Sequence, residues 1–522
     1  MTGARLLVDG VFHEKRVVPS LGIAAVAGYL RQAGFAVDMF SPNITYMDEH
    51  AAAAEILRRR PAFIGLSLLT HITYGHCRTV LASLRDNRVD PFICVGGHFG
   101  SLAYEALLRD NPEVDCVIVG DGEEACAELL RHLEAGSSWQ SIPGVACRTA
   151  DGAVRLTPPK PGPHLDGYPM MALDFLEELV QRYGPEVRVS LVSSRGCYAD
   201  CSYCSVRAYS KLAQTKPYRM RSVDRIADEI RLLQERYGVR NFALEDDNFL
   251  VPGPVGIVRA RAFCDAVRAR GVQMKLFLQT RPECITFEAL SALKDIGLCD
   301  IFIGTESFDQ GTLDLYHRNN TVEQTLQAFE VFEQLGFSAA VDAELRVRVG
   351  SMVFHPYVTL DALHRQAAYF RRYQIPSKKL IKHLFPVEDV ELCTRLAGEG
   401  LLQPNGRYRF VRQAVQDVYD ALNAYYDRYM SVREDIRRIE KVAKLQRLSM
   451  PLDELRGARR QIEANFIDLF ERLCVMGDQG RAAIARTCDE FAAALEQTLD
   501  FDRLRPLVRQ HLDMLCEFAV HD

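Results

Sequence analysis

Short apolar runs alternate with amphipathic segments twice along this chain, and no other feature constrains its fold as much. In the first series the runs are 5–11, 35–40, 63–69, 92–96 and 116–120, with helical patterns over 21–34, 48–59, 75–88 and 101–109 between them. Near-continuously apolar strands separated by helices predict a parallel sheet covered on both faces. Residues 1–135 therefore read as a doubly wound α/β domain whose ligand sits at the carboxyl ends of its strands. The second series begins at Val187, with runs 187–193, 241–246, 275–280, 300–305, 346–354 and 379–385 and helical patterns over 222–237, 258–270, 287–297, 322–335 and 360–373. Six units are fewer than the eight of a closed barrel, so residues 185–400 predict a partial, open (β/α)6 barrel of the TIM type. Residues 136–184 read as a linker, because Thr157-Pro-Pro-Lys-Pro-Gly-Pro-His164 is too rich in proline for a helix or a central strand. Beyond 400 only helical periodicity remains, over 413–429, 432–446, 455–471 and 480–499, which makes 401–522 a helical C-terminal region.

Charge and cysteine usage narrow the function classes. Lys plus Arg is 63 and Asp plus Glu 69, a net charge of −6, so no basic excess exists to neutralise nucleic-acid phosphates or to hold a membrane surface. No run approaches the ~18 apolar residues of a membrane span. The fifteen cysteines are scattered over 522 residues, and the opening MTGARLLVDG reads as a strand, not as a signal segment. A reducing cytoplasm is the expected compartment, where clustered cysteines mean metal and isolated ones mean core.

One cluster stands out. The run 187–193 leads into Ser194-Arg-Gly-Cys197-Tyr-Ala-Asp-Cys201-Ser-Tyr203-Cys204, three thiols within eight residues on the loop after the first barrel strand. Barrel enzymes do their chemistry at that end of the strands. Three soft ligands suit three irons of a cubane and leave the fourth open to substrate. A structural zinc site wants four ligands and a closed shell, and core cysteines would not bunch on a glycine-containing loop.

The C-x3-C-x2-C spacing, with Tyr203 before the third cysteine, resembles the radical S-adenosylmethionine superfamily. Further pieces follow in the same order. Leu244-Glu245-Asp246-Asp247 resembles the acidic end of the family's second strand, Leu278-Gln279-Thr-Arg281 its third, and Phe302-Ile-Gly-Thr-Glu306-Ser307 its Gly-x-Glu-Ser fourth. The resemblance implies a [4Fe-4S] cluster on Cys197, Cys201 and Cys204 and S-adenosylmethionine as cosubstrate. It places Glu245, Asp246 and Asp247 near the amino group, Glu306 near the ribose, and Arg281 where it suits a carboxylate. Tyr203, Gln279 and Ser307 belong to the same cofactor-binding set.

The first domain resembles the Rossmann-like cobalamin-binding domain of cobalamin-dependent radical enzymes. The pieces that carry this are Ser20-Leu-Gly-Ile-Ala-Ala-Val-Ala-Gly28, Ile64-Gly-Leu-Ser67, Val95-Gly96-Gly97-His98 and Val119-Gly120-Asp-Gly122-Glu123. Glycines after strands let backbone approach a bulky ligand, although tight strand–helix turns want them too. The Asp-x-His-x-x-Gly pattern of many cobalamin proteins is absent, since Asp9-Gly-Val-Phe-His13 has the wrong spacing. No histidine ligand of that usual kind is expected, and Thr70 and His71 are the candidates for the cofactor's lower face.

Together these resemblances imply a cobalamin-dependent radical methyltransferase acting on an unactivated carbon of a small metabolite. An electron donor of the flavodoxin or ferredoxin type would reduce the cluster. Two alternatives stay open: a rearrangement, ring closure or ring contraction without methylation, and a degenerate first domain that holds no cobalamin. No residue of the chain is legible as a catalytic acid or base.

Overall fold

A computed structural model describes residues 3–10, 20–86, 90–387, 390–403, 405–445 and 452–520. The chain forms two compact units, Met1–Ile301 with Val387–Val390, and Phe302–Pro386 with Glu391–Asp522.

In the first unit, β1 (Arg5–Asp9), β2 (Asp38–Phe40), β3 (Phe63–Ser67), β4 (Phe92–Gly96) and β5 (Cys116–Ile118) run parallel in the order β2-β1-β3-β4-β5. Alternate residues of a strand point to opposite faces, and here both faces are covered. Leu6, Val8, Ile64 and Leu66 pack with Ala52, Ile56, Val80 and Leu84, on helices Glu49–Arg59 and His71–Asp86. Leu7, Phe63, Cys94 and Cys116 pack on the other side with Ile23, Ala27, Cys126 and Leu130, on helices Leu21–Gln32 and Gly122–Ala135. That two-sided burial is why these strands read as continuous apolar runs. The strand order reverses between β1 and β3, the place where a doubly wound sheet opens a crevice for a ligand.

The segment after 135 is more ordered than its prolines suggest. β6 (Val145–Arg148) and β7 (Val154–Leu156) form an antiparallel hairpin that extends the sheet beside β5, with Ile118 opposite Val145. The sheet is therefore mixed at one edge. Strands of four and three residues are too short to show a period, and proline-free Val145–Arg148 sits outside the run that suggested a linker.

The barrel series starts with β8 (Arg188–Leu191), followed by a small antiparallel hairpin of β9 (Ser194–Gly196) and β10 (Tyr218–Met220). β11 (Asn241–Leu244) lies parallel between β8 and β12 (Lys275–Thr280). β13 (Leu298–Glu306) begins in the first unit and ends in the second, where β14 (Arg346–Ser351) follows it. The sixth expected strand, 379–385, does not form. It makes one isolated parallel bridge, Phe354 to His383. Pro356 and Pro386, one on each segment, follow that bridge on its carboxyl side and cannot donate to a ladder continued there.

In the second unit, Thr321 and Thr359 cap helices Val322–Gln334 and Leu360–Arg372 through bonds to Gln324 and Ala362 N–H. The helical region follows as Gln413–Tyr425, Ser431–Leu445, Asp453–Met476, Arg481–Thr498 and Phe501–Val520. Asp453–Met476 buries Phe466, Phe470 and Leu473. It packs on Leu360–Arg372, where Arg371 pairs with Asp468 at 2.6 Å and Glu471 at 2.8 Å. Among the described residues no helix is long and apolar enough to cross a membrane.

Candidate active site

The first unit holds a cavity of about 350 Å³ at the carboxyl ends of both sets of strands. Ser67, Gly96, Gly97, Gly120, Gly122 and Glu123 line one side, and Gly196, Glu245 and Asp247 the other. Two of these glycines explain themselves. A Cβ at Gly96 would meet nothing of the protein closer than 3.8 Å, so the missing side chain widens the cavity and does not relieve a contact. Gly97, at φ 91°, would drive a Cβ to 2.6 Å from the Leu68 carbonyl oxygen. It lets the chain turn sharply into the cavity wall.

The thiols are set up by the hairpin that precedes them. Gly196, at φ 83°, lies where a Cβ would strike the Pro217 carbonyl, so only glycine closes β9 against β10 before Cys197. Cys204 N–H donates to the Cys201 carbonyl at 3.1 Å, and Cys204 then starts helix Ser205–Leu212. Cys201 is buried, and Cys197 and Cys204 are half-buried. Burial pushes the Cys197 thiol up and that of Cys204 to about 12. A thiolate here needs positive charge beside it, which iron would supply on coordination. Among the described residues no His, Cys, Asp or Glu group of three or more is gathered about a single metal ion.

The acidic strand end divides its labour by the period of two. Glu245 and Asp247 face the cavity, and Asp247 accepts the Gly196 N–H at 3.1 Å. Burial raises Asp247 to about 6. Asp246 points the other way and is fully buried. Its carboxylate takes the Ser193 N–H at 2.7 Å, the Ser194 N–H at 3.0 Å and the Ser193 hydroxyl. Asp246 thus anchors the loop that leads to the cysteines.

Arg281 is buried too, with Nη1 3.1 Å from Cys201 Sγ and Nε bonded to Glu283. Its Nη2 is buried without a partner. A donor to the Cys201 sulfur would be a lever on the reduction potential of a cluster held there. Gln279 lends its backbone carbonyl to Phe249 N–H at 3.0 Å, and Tyr203 is half-buried within the cysteine loop. In the second unit Glu306 ends β13 in a left-handed conformation, φ 62°, 3.7 Å from Arg318. Buried Ser307 donates to Gln366 at 3.1 Å and braces the barrel wall. Thr70 and His71 do not line the cavity. Thr70 Oγ1 accepts the Thr73 N–H at 3.2 Å, and exposed His71 opens the helix that follows. His13 lies outside the described residues.

Arg195, Arg219 and Asp121 line the cavity without a role in the sequence reading, and they enclose Glu123, which had one. Arg195 pairs with Asp121 at 3.1 Å and with Glu123, and Arg219 grips Asp121 at 2.6 Å. Against the penalty of burial, Glu123 and Asp121 hold Arg195 above the usual arginine range. Asp121, also against burial, is held below the usual carboxylate range by Arg195 and Arg219. This quartet ties the Gly120–Glu123 loop to the hairpin carrying the first cysteine. His98 stacks on Tyr209, ring centroids 4.9 Å apart, with Nε2 2.8 Å from Ser205 Oγ, beside Cys204. Burial pulls the His98 pKa down. The only sequence signals were adjacency to Gly96-Gly97 and to Gly196-Cys197.

Residues 11–130 match the B12 binding domain family, and residues 191–365 match the Radical SAM superfamily. The chain belongs to the cobalamin-dependent radical S-adenosylmethionine enzymes. Its cofactors are a [4Fe-4S] cluster, S-adenosylmethionine and cobalamin, so the first domain is no degenerate scaffold. An uncharacterized methyltransferase of Pyrococcus horikoshii is 26% identical over 335 residues, 62% of this chain and 70% of its own. The anaerobic magnesium-protoporphyrin IX monomethyl ester cyclase of Rubrivivax gelatinosus is 26% identical over 333 residues, 61% of this chain and 57% of its own. The cobalamin-dependent S-adenosylmethionine radical enzyme OxsB, solved with aqua-cobalamin bound, shares the fold at TM-score 0.79 and 16% identity, over 98% of this chain and 84% of that one. The glycine-lined wall and the three-thiol loop of this radical enzyme fit those groups.

Proposed function

We propose that this enzyme transfers a methyl group to an unactivated carbon of a small metabolite. The observation that carries the reading is the shared cavity: the glycine loops of the B12 binding domain and the acidic strand end of the radical domain line one space. In this reading Cys197, Cys201 and Cys204 hold the cluster, Glu245 and Asp247 bind the cosubstrate's ammonium, and Gly96, Gly97, Gly120 and Gly122 receive cobalamin. With these groups bound, the site has an electron from the cluster, a radical precursor in S-adenosylmethionine and a methyl carrier in cobalamin. The chain's own work is to exclude water and hold the two cofactors within reach of one substrate. The buried quartet of Arg195, Arg219, Asp121 and Glu123 supports that, because it ties the two walls together. The methyltransferase relative supports the reaction class. A flavodoxin- or ferredoxin-type electron donor, a cytoplasmic location, and the lack of nucleic-acid or membrane partners complete the reading.

The test uses reconstituted protein, S-adenosylmethionine labelled in its methyl group, and candidate small metabolites. Each product should carry one label and appear with one 5′-deoxyadenosine and one S-adenosylhomocysteine, counted by mass spectrometry. Unlabelled product with 5′-deoxyadenosine alone would replace methyl transfer by radical chemistry of the ring-closing or rearranging kind. Replacing any one of Cys197, Cys201 or Cys204 by Ala should abolish 5′-deoxyadenosine formation. Full iron content and turnover in such a variant would overturn the ligand assignment.

A further inference from the structure

In the second unit half-buried Lys379 has no anion at ion-pair distance among the described residues. Lys379 ends the short turn Ser377–Lys379, and its backbone carbonyl accepts the Ser351 hydroxyl at 3.1 Å. Ser351 is the last residue of β14; Glu306, the last of β13, accepts the Met352 N–H at 2.8 Å. Lys379 therefore stands at the carboxyl ends of these two strands, the end where barrel enzymes place their chemistry. Glu306 keeps a strained left-handed backbone there, and such strain persists chiefly at functional sites.

Among the described residues the Lys379 ammonium has no hydrogen-bond or ion-pair partner, although the side chain is only partly exposed. The charged groups acting on it are Lys378, Lys382, Glu306 and Arg437. Neither nearby carboxylate is free. Glu434 takes Lys378 at 3.2 Å, Arg437 at 3.8 Å and Arg433 besides, and Glu306 faces Arg318. Lys379 and exposed Lys382 remain as surplus positive charge. Burial first, then Lys378 and Lys382, push Lys379 down to about 8. A half-buried ammonium with like charges beside it and no ion-pair partner favours an anion joining it.

We propose that Lys379, with Lys382 beside it, forms an anion-binding site for a phosphate group on the enzyme's substrate. Two surplus cations match a phosphate dianion better than a single carboxylate. The inference takes from the proposed function only that the substrate is a small molecule. Its test reads binding, so a failure here and a failure of methyl transfer are told apart.

The full chain is titrated calorimetrically with inorganic phosphate, with phenyl phosphate as a monoester, and with S-adenosylmethionine, at pH 7 and pH 9.5. Both phosphates should bind at pH 7, the monoester at least as well as the free ion, and both more weakly at pH 9.5 as Lys379 loses its proton. Lys379→Gln should weaken them about tenfold, the loss of one charge-assisted hydrogen bond, while Lys379→Arg retains binding. Equal phosphate affinity in wild type and Lys379→Gln overturns the proposal. So does lost S-adenosylmethionine affinity, which would assign the lysine to the cosubstrate's carboxylate. Binding of free phosphate without the monoester would mark an inorganic-ion site and overturn the substrate claim. Acetylation of lysines in wild-type protein, read by mass spectrometry, covers a variant that fails to fold: phosphate must protect Lys379, and absence of protection rejects the site.

Discussion

This chain treats half-buried cations in two different ways. In the first unit Arg195 and Arg219 are matched by Asp121 and Glu123, two carboxylates for two guanidinium groups. In the second unit Lys379 lies among Lys378, Lys382 and Arg437, with both nearby acids already engaged. The second unit can pair a buried cation when the fold requires it: fully buried Arg433 bonds Glu463 and Glu434. Matched charge holds structure together, and unmatched charge at a strand end is kept for something that binds.

The largest expected effect breaks the matched set. Arg195→Ala leaves Glu123, 3% exposed, without its counter-ion, and should cost about 3–5 kcal/mol of stability in urea unfolding. A loss below about 1 kcal/mol would mean the quartet is solvated and holds nothing. Replacing Arg195 and Glu123 together by Leu sharpens the point. Removing both charges leaves no orphan, so the double variant should lie within about 1–2 kcal/mol of wild type, recovering most of the single loss. Simple addition of two single losses would show that the pair does not act as a unit.

The smallest effect has the opposite sign. Lys379→Met should raise the thermal midpoint at pH 7, because it removes a cation that folding disfavours. The folded pKa, about 8, lies below the unfolded value near 10.5, so between those pH values the native state binds fewer protons than the unfolded one. Stability conferred by the wild-type residue therefore rises with pH across that window. The variant's advantage should be full below pH 8 and vanish toward pH 10.5. A destabilised variant at pH 7 would show that the ammonium is already paired.

Most of the architecture was legible because burial on two faces leaves a continuous apolar trace. β4 and β12 run over Phe92–Gly96 and Lys275–Thr280, as read from those runs. The edge hairpin β6–β7 was not, since strands of four and three residues are too short to show a period. The expected strand over 379–385 failed for a converse reason: its apolar content matched a strand, but prolines on the carboxyl side of its one bridge stop the ladder there. Site residues divided likewise. Glu245, Asp246 and Asp247 were legible as a set, and only the backbone separates the two that face the cavity from the one that braces the loop.

By itself the sequence determined the order of the elements, the three thiols of the cluster loop and the glycine-rich strand ends, because each is a local pattern in which spacing alone carries the chemistry. Tertiary structure decided how charge was spent. Arg281 lies 80 residues from Cys201 and Arg219 98 from Asp121, yet each reaches its partner, while Lys379 reaches none among the described residues. A charged side chain looks the same in sequence whether solvent, a distant carboxylate or a ligand is to neutralise it. The difference arises only when folding removes water and the long-range partner either arrives or does not.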